Sequence, residues 1–252
     1  MSGPAAAGSH LVPDGLDATL VLIRHGQSTF VAEGRFQGRL DPPLSQLGER
    51  QAALVAAWLA TGPGDLHGLG LTAPARCIVH SPLRRAAATA QLIAAAQAPA
   101  PPLVADDAFA EIGQGEWEGR TMPEVTRRWG AQLAAWRRNP TAAWAPGGEP
   151  LAGAAERVHA GLDRVMASLD RNAASEEPGA RPWAIVVAHD GILRLLLLAL
   201  LDLPLERFWA FPFTLCGGTV IELRSGRAQL LAHNLAGHLA ELDAGPSRNG
   251  AF

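Results

Sequence analysis

Three stretches of the chain put chemically capable side chains immediately after short apolar runs. Arg24-His25-Gly26 follows Thr19 to Ile23, Ser81-Pro82-Leu83-Arg84-Arg85 follows Cys77 to Val79, and His189-Asp190-Gly191 follows Trp183 to Ala188. Arginine offers a planar fork of donors that stays charged, which matches the tetrahedral oxygens of a phosphoryl group. A histidine with a pKa of about 6.5 can attack phosphorus as the neutral imidazole and so divide a hydrolysis into two easier displacements. The departing alkoxide then needs a proton. A Gly-rich stretch, Glu111-Ile112-Gly113-Gln114-Gly115-Glu116-Trp117-Glu118-Gly119, carries carboxyl groups able to supply it. Spacing alone does not choose among Glu111, Glu116 and Glu118. His25, His189 and Glu111 are also ligand types that suit a metal ion. Arg24 and Arg84 argue against that use, because two fixed positive charges oppose a cation, and the expectation is a site with neither metal nor cofactor.

For these residues to meet, several strands must end side by side. The runs Thr19 to Ile23 and Trp183 to Ala188 are continuously apolar, as expected of strands covered on both faces. Between strands lie helical patterns. Ser45 can cap a helix whose Leu47, Leu54, Val55, Trp58 and Leu59 share one face and which stops before Gly62-Pro63-Gly64. Ser81 suits an N-cap and Pro82 the first position of a helix running through Ile93, whose positive dipole end would add free N–H donors for an anion. A short extended segment near Leu103 follows Pro99, Pro101 and Pro102. Further helices are expected from Leu151 to Leu169 and over Ile192 to Leu201, and Val220 to Leu223 and Gln229 to Ala232 form a final pair of strands around Ser225-Gly226. The alternation predicts an α/β fold, a three-layer α/β/α sandwich with a mostly parallel central sheet. Ligands bind beyond the carboxyl ends of strands in such sheets, where the reactive residues sit.

Composition narrows the chemistry. The 252 residues contain no Lys and no Tyr, so all 21 basic residues are Arg. Schiff-base catalysis, a P-loop lysine and a Tyr nucleophile are excluded. A net charge of -3 with no basic run predicts no nucleic-acid partner. Cys77 and Cys216 cannot make a disulfide framework, which fits a reducing, cytoplasmic setting. The apolar run Ile192 to Leu201 is about half of the ~20 residues a membrane helix needs, so no membrane partner is expected. The first eighteen residues read as a flexible arm, residues 19–240 as one domain with a helical cap over about 112–150, and residues 241–252 as a flexible tail.

The ordered set of motifs resembles the histidine phosphatase superfamily, the phosphoglycerate-mutase-like fold. Arg24-His25-Gly26 is similar to its RHG signature. Gly34-Arg35-Phe36-Gln37-Gly38, Pro43-Leu44-Ser45, Ser81-Pro82-Leu83-Arg84-Arg85-Ala86, Glu111 with Trp117-Glu118-Gly119, Pro146-Gly147-Gly148-Glu149 and Val187-Ala188-His189 follow in the family's order. The resemblance implies that His25 is phosphorylated, that Arg24, Arg84 and His189 hold the phosphoryl oxygens, and that Glu111 serves as general acid and then base, without metal. Two positions depart from the pattern. Val31 stands where many members carry a phosphate-contacting Asn, with Gln37 as a candidate substitute, and Asp190 stands where Gly is usual and is expected to turn away or pair with Arg194. The compact Gly113 to Gly119 loop and the absence of Lys favour a phosphatase of small-molecule phosphomonoesters, similar to α-ribazole and broad-specificity phosphatases, over a cofactor-dependent phosphoglycerate mutase. A phosphate-binding pseudoenzyme is the alternative from a different class, supported by Val31 and Asp190.

Several residues carry blander readings. Arg85 reads as a solvated helix residue, His80 as packing the strand end, His10, His67 and His159 as surface, and His233 and His238 as structural. In the cap, Trp129, Trp136 and Trp144 would pack inward while Arg127, Arg128, Arg137 and Arg138 face solvent; the sharper alternative is a substrate lid in which one of those Arg binds a second anionic group and Trp129 or Trp136 covers an organic moiety. A homodimer through the final strands and the apolar helix is compatible with the sequence but not required by it.

Overall fold

The computed structural model describes residues 11–60, 71, 74–170 and 181–242. His10, His67, the Gly62-Pro63-Gly64 breaker, most of the proposed N-terminal arm and residues 243–252 lie outside them. Six strands form one sheet: β1 (Asp17–Arg24), β2 (Ile78–His80), β3 (Leu103–Ala105), β4 (Trp183–Ala188), β5 (Gly218–Arg224) and β6 (Arg227–Leu235). Their order is β3-β2-β4-β1-β5-β6. β1, β2, β3 and β4 run parallel to their neighbours in this set, whereas β5 is antiparallel to β1 and β6 to β5. The expected mostly parallel α/β sandwich is therefore the architecture found.

The apolar runs become strands because both faces of the sheet are covered. Along β1, Leu20 and Leu22 pack into one core with α5 (Leu151–Asp170) and α6 (Asp190–Leu200), while Val21 and Ile23 pack into another with α2 (Gln46–Ala60) and α3 (Arg84–Ala95). Strand alternation thus sends successive residues into different helix layers. Each fully buried Leu or Ile contributes roughly 1.5–3 kcal/mol. The apolar helix noted in the sequence is α6, and its leucines are buried inside this subunit, so they offer no free face to a second copy. No helix among the described residues is long and apolar enough to cross a membrane.

Over one end of the sheet lies a third, smaller core. Phe36, Trp117, Val125, Leu133 and Ala145 form it, with Met122, Trp129 and Trp136 packed against it. Its main element is α4 (Met122–Arg138), opened by a capping box in which the Thr121 hydroxyl and the Glu124 carboxylate reciprocally satisfy backbone N–H groups. A short α1 (Thr29–Ala32), capped by Ser28, completes the helices.

One boundary differs from expectation with consequences for the site. α3 does not start at Ser81 and Pro82 but at Arg84, with Leu83 extended (φ -64°, ψ 134°) as its N-cap. The Ser81 hydroxyl is engaged elsewhere, and the Arg84 backbone N–H donates to Asp41 Oδ1 at 2.7 Å. A carboxylate already sits at that helix end, where the dipole favours it. The expected role of this terminus as an anion site is corrected accordingly.

Candidate active site

Register alone brings the two histidines together. Arg24 of β1 pairs with Ala188 of β4 in a parallel ladder, and the His25 N–H donates to the Ala188 carbonyl at 3.0 Å. The next residues along the two strands, His25 and His189, therefore emerge side by side with ring centroids 5.0 Å apart at 60°. β2 ends on the other flank of β4, where the Ser81 N–H donates to the Val187 carbonyl and the Ser81 hydroxyl lies 2.7 Å from His189 Nε2. Gly26 is required because the chain leaves β1 against α2: a Cβ there would lie 2.5 Å from the Gly48 carbonyl oxygen.

His25 is 1% exposed. Its Nδ1 lies 2.6 Å from the Gly26 carbonyl, which can only accept, so Nδ1 carries the proton and Nε2 presents a lone pair. Burial, reinforced by the Arg85 and Arg24 charges, pushes its pKa well below the ordinary value of 6.5. His189 is pushed down by burial first and then by Arg85, His25 and Arg24. Both rings are neutral at physiological pH, the form that a nitrogen nucleophile needs.

The two arginines of this cluster are Arg24 and Arg85, not Arg24 and Arg84. Arg85 is fully buried and its guanidinium donates to the Leu40 and Gly38 carbonyls at 2.8 and 3.0 Å. Burial lowers its pKa to about 10, which leaves it charged. Arg84, by contrast, is exposed and lies in a surface groove with Pro43, Leu44 and Leu92. Because α3 begins at Arg84, the residue one step on, turned by about 100° around the helix, is the one that faces the strand ends. Reading Arg84 as the site residue and Arg85 as solvated reversed the two.

Arg24 is 3% exposed and donates to the Phe213 carbonyl at 2.6 Å, with Asp190 Oδ1 at 3.6 Å. Asp190 pairs with Arg194 as expected, Nε to Oδ2 at 2.9 Å, and also reaches Arg24. Three buried nitrogens in this cluster have no hydrogen-bond partner among the described residues: Arg24 Nε, Arg85 Nε and His189 Nδ1. A buried donor left without a partner costs about 1–3 kcal/mol, so such a set suits an incoming anion. The residues fit a phosphoryl group better than a metal, and among the described residues no three His, Cys, Asp or Glu converge as ligands.

Above this floor opens a cleft whose lining includes Arg24, Val31, Gln37, Glu111, Asp190 and Gly191. The Gln37 amide oxygen accepts from the Ser28 hydroxyl at 2.5 Å, leaving its NH2 as the free end. Glu111 lies at the cleft against α6, where only a glycine fits: a Cβ on Gly191 would stand 2.8 Å from Glu111 Oε1. Burial raises the Glu111 pKa, with a smaller push from Asp190, against the Ile112 N–H and the two arginines. Glu116 is instead an exposed partner of Arg128, and Glu118 accepts backbone N–H groups of Arg39 and Gln114. The loop carrying Glu111 is pinned by Arg157, which binds Glu149 through two nitrogens and donates to the Ala108 and Ala110 carbonyls. Sequence reasoning passed over Arg157; the signal available was an Arg on the inner face of α5, eight residues after the Pro146-Gly147-Gly148-Glu149 motif.

The model of the histidine phosphatase superfamily (branch 1) matches residues 20–236. The chain belongs to that superfamily. Among relatives, it is 32% identical over 225 residues to phosphoserine phosphatase 1 of Hydrogenobacter thermophilus, covering 88% of this chain and 94% of the relative. Glucosyl-3-phosphoglycerate phosphatase of Mycolicibacterium vanbaalenii is 37% identical over 194 residues, 75% of this chain and 76% of that one. Among solved structures, a putative α-ribazole-5'-P phosphatase from Escherichia coli superposes with a TM-score of 0.68 at 25% identity, covering 86% and 96% of the two chains. Members of this superfamily among the relatives are small-molecule phosphatases, and the chain is a phosphomonoester hydrolase of the same kind.

Proposed function

We propose that the protein hydrolyses small phosphomonoesters without a metal, by two in-line displacements at His25. The observation that carries this reading is the buried set around a neutral His25 of three nitrogens without partners, two of them on fixed cations. In the first step the Nε2 lone pair of His25 attacks phosphorus and the ester P–O bond breaks. Glu111, whose pKa burial raises, donates a proton to the departing alkoxide. Arg24, Arg85 and His189 face the charge that spreads over the phosphoryl oxygens, and the Gln37 NH2 supplies a neutral donor where Val31 has none. In the second step the Glu111 carboxylate takes a proton from water, the water oxygen attacks phosphorus, and the P–N bond breaks to release inorganic phosphate and neutral His25.

Asp190, whose charge would repel a phosphate, is neutralised by Arg194 and braces Arg24, so it supports a working site more than a pseudoenzyme. The buried free thiols of Cys77 and Cys216 fit a reducing, cytoplasmic setting. The deciding experiment mixes enzyme with labelled substrate in EDTA and quenches within the first turnover. Base-stable, acid-labile label that vanishes in His25→Ala is expected; turnover that requires a metal, or label retained in that variant, would end the reading.

A further inference from the structure

The cleft above the histidines is walled by aromatic rings. Trp136 stands edge-on to Trp117, with centroids 5.8 Å apart at 78°, and to Trp209 at 4.7 Å and 89°. Trp209 in turn meets Phe208 at 4.7 Å and 74°. These four rings and Trp144 line the same cleft. From behind, Arg194 lies over Trp209 and Phe208 at 5.2 and 5.8 Å, which fixes their planes.

The charges of the lining point the same way. Arg24 is the one cation among the described lining residues, and it is drawn toward the strand ends by Phe213 and Asp190. The acids Glu111, Glu149 and Asp190 share the lining. Glu149 is engaged by Arg157 and Arg39, and Asp190 by Arg194, so these arginines are already committed. Arg127, Arg128, Arg137 and Arg138 are all exposed and outside the lining, so the cap arginines do not bind a second anionic group there. A carboxylate on the leaving group would enter beside three carboxyl groups with no free cation to meet it, which selects against such substrates.

Resting on the phosphatase reading above, we infer that the preferred substrate is a phosphomonoester whose alcohol carries a flat aromatic or heteroaromatic ring and no second anionic group. The ring packs among Trp136, Trp144 and Trp209 while the phosphoryl group enters the histidine floor. The named substrates of two relatives, phosphoserine and glucosyl-3-phosphoglycerate, carry a carboxylate; this cleft is built for a different leaving group.

The test compares 2-(naphthyl)ethyl phosphate with O-phosphoserine and 3-phosphoglycerate, all esters of alkyl alcohols, by release of inorganic phosphate. An advantage in kcat/KM of about tenfold or more for the aromatic ester is expected, the scale of one or two good ring contacts. Trp144→Ala and Trp136→Leu should raise KM for the aromatic ester roughly fivefold, again the scale of one ring contact, and by a smaller factor for glycerol phosphate. Preference for either carboxylate ester, or equal losses on all esters in both Trp variants, would overturn the inference. Binding of the same three esters to His25→Ala, followed by calorimetry, separates it from the activity: tighter binding of the aromatic ester supports the substrate class even if turnover fails, and equal or reversed affinities sink it. Failure of the wild type on every ester would count against the phosphatase reading alone.

Discussion

The floor of the site and its cap are built on opposite plans. In the floor, His25, His189, Arg24 and Arg85 are all nearly or fully buried, and their positions follow from strand register and the first turn of a helix. The cap relies on a small core of its own, and its long helix is interrupted at Trp129, whose φ of -132° and ψ of 31° are non-helical. Trp129 itself sits between Arg120 and Arg128 at 5.4 and 4.5 Å, near the surface. A sheet-anchored floor cannot vary without losing the reaction, whereas a cap with its own core can change its lining and leave the chemistry intact. Damage to the floor should therefore appear in kcat for every substrate, and damage to the cap in KM for some.

The largest contrast is expected at Glu111. Glu111→Gln should lower kcat on an alkyl phosphate by about 10²- to 10⁴-fold, the usual worth of a general acid. 4-Nitrophenyl phosphate, whose leaving group departs without a proton, should lose far less in its first step. In the wild type, kcat for the alkyl ester should fall as pH rises through the raised Glu111 pKa, because the proton to be donated is then gone; a rate on the alkyl ester that is insensitive to Glu111→Gln would remove the residue from the reaction.

Next come the adjacent arginines. Arg85→Ala should cost about 10²- to 10³-fold in kcat/KM, as for a lost oxyanion donor, and should also free the Leu40 and Gly38 carbonyls. Arg84→Ala should stay within about threefold, since no phosphate contact is lost. The reverse ranking, measured on one simple ester, would restore the sequence-based choice.

A smaller effect concerns stability. The pKa values of His25 and His189 are lowered in the folded state, so their contribution is complete above the unfolded value of about 6.5 and is lost as pH falls below it, by about 1.4 kcal/mol per pH unit for each ring. Glu111, raised in the fold, works in the opposite sense as pH climbs above its unfolded value, but one carboxyl does not offset two imidazoles. Chemical denaturation between pH 7 and pH 5 should show this loss, and His25→Asn should make it shallower. An unchanged pH slope in that variant would mean that His25 is not desolvated. Smallest of all, Arg128→Ala should cost about 0.5–1 kcal/mol, the value of one exposed cation–π contact, and leave kcat unchanged.

Much of the floor was legible from one-dimensional pattern. Continuous apolar runs ending in Arg24-His25 and His189 announced parallel strands with reactive carboxyl ends, because a strand buried on both faces needs no alternation. The identity of the second arginine was not legible. Ser81 and Pro82 are good helix starters, and that preference set the helix phase wrongly; the Ser81 hydroxyl is taken by His189 and Leu83, and Asp41, far away in sequence, caps the helix at Arg84. The cap divided in the same way. Its arginines were readable as solvated, while the part played by Trp136 in the cleft depends on Trp117 and Trp209 from two distant segments.

By itself the sequence determined the layers of the fold, the two histidines and the kind of chemistry, because hydrophobic period and residue type are local properties of the chain. Only the tertiary structure decided which arginine faces the phosphoryl site and which tryptophans line the cleft. Those choices depend on a helix phase of about 100° per residue and on partners distant in sequence, such as Asp41 for Arg84 and Trp209 for Trp136, and packing alone fixes both.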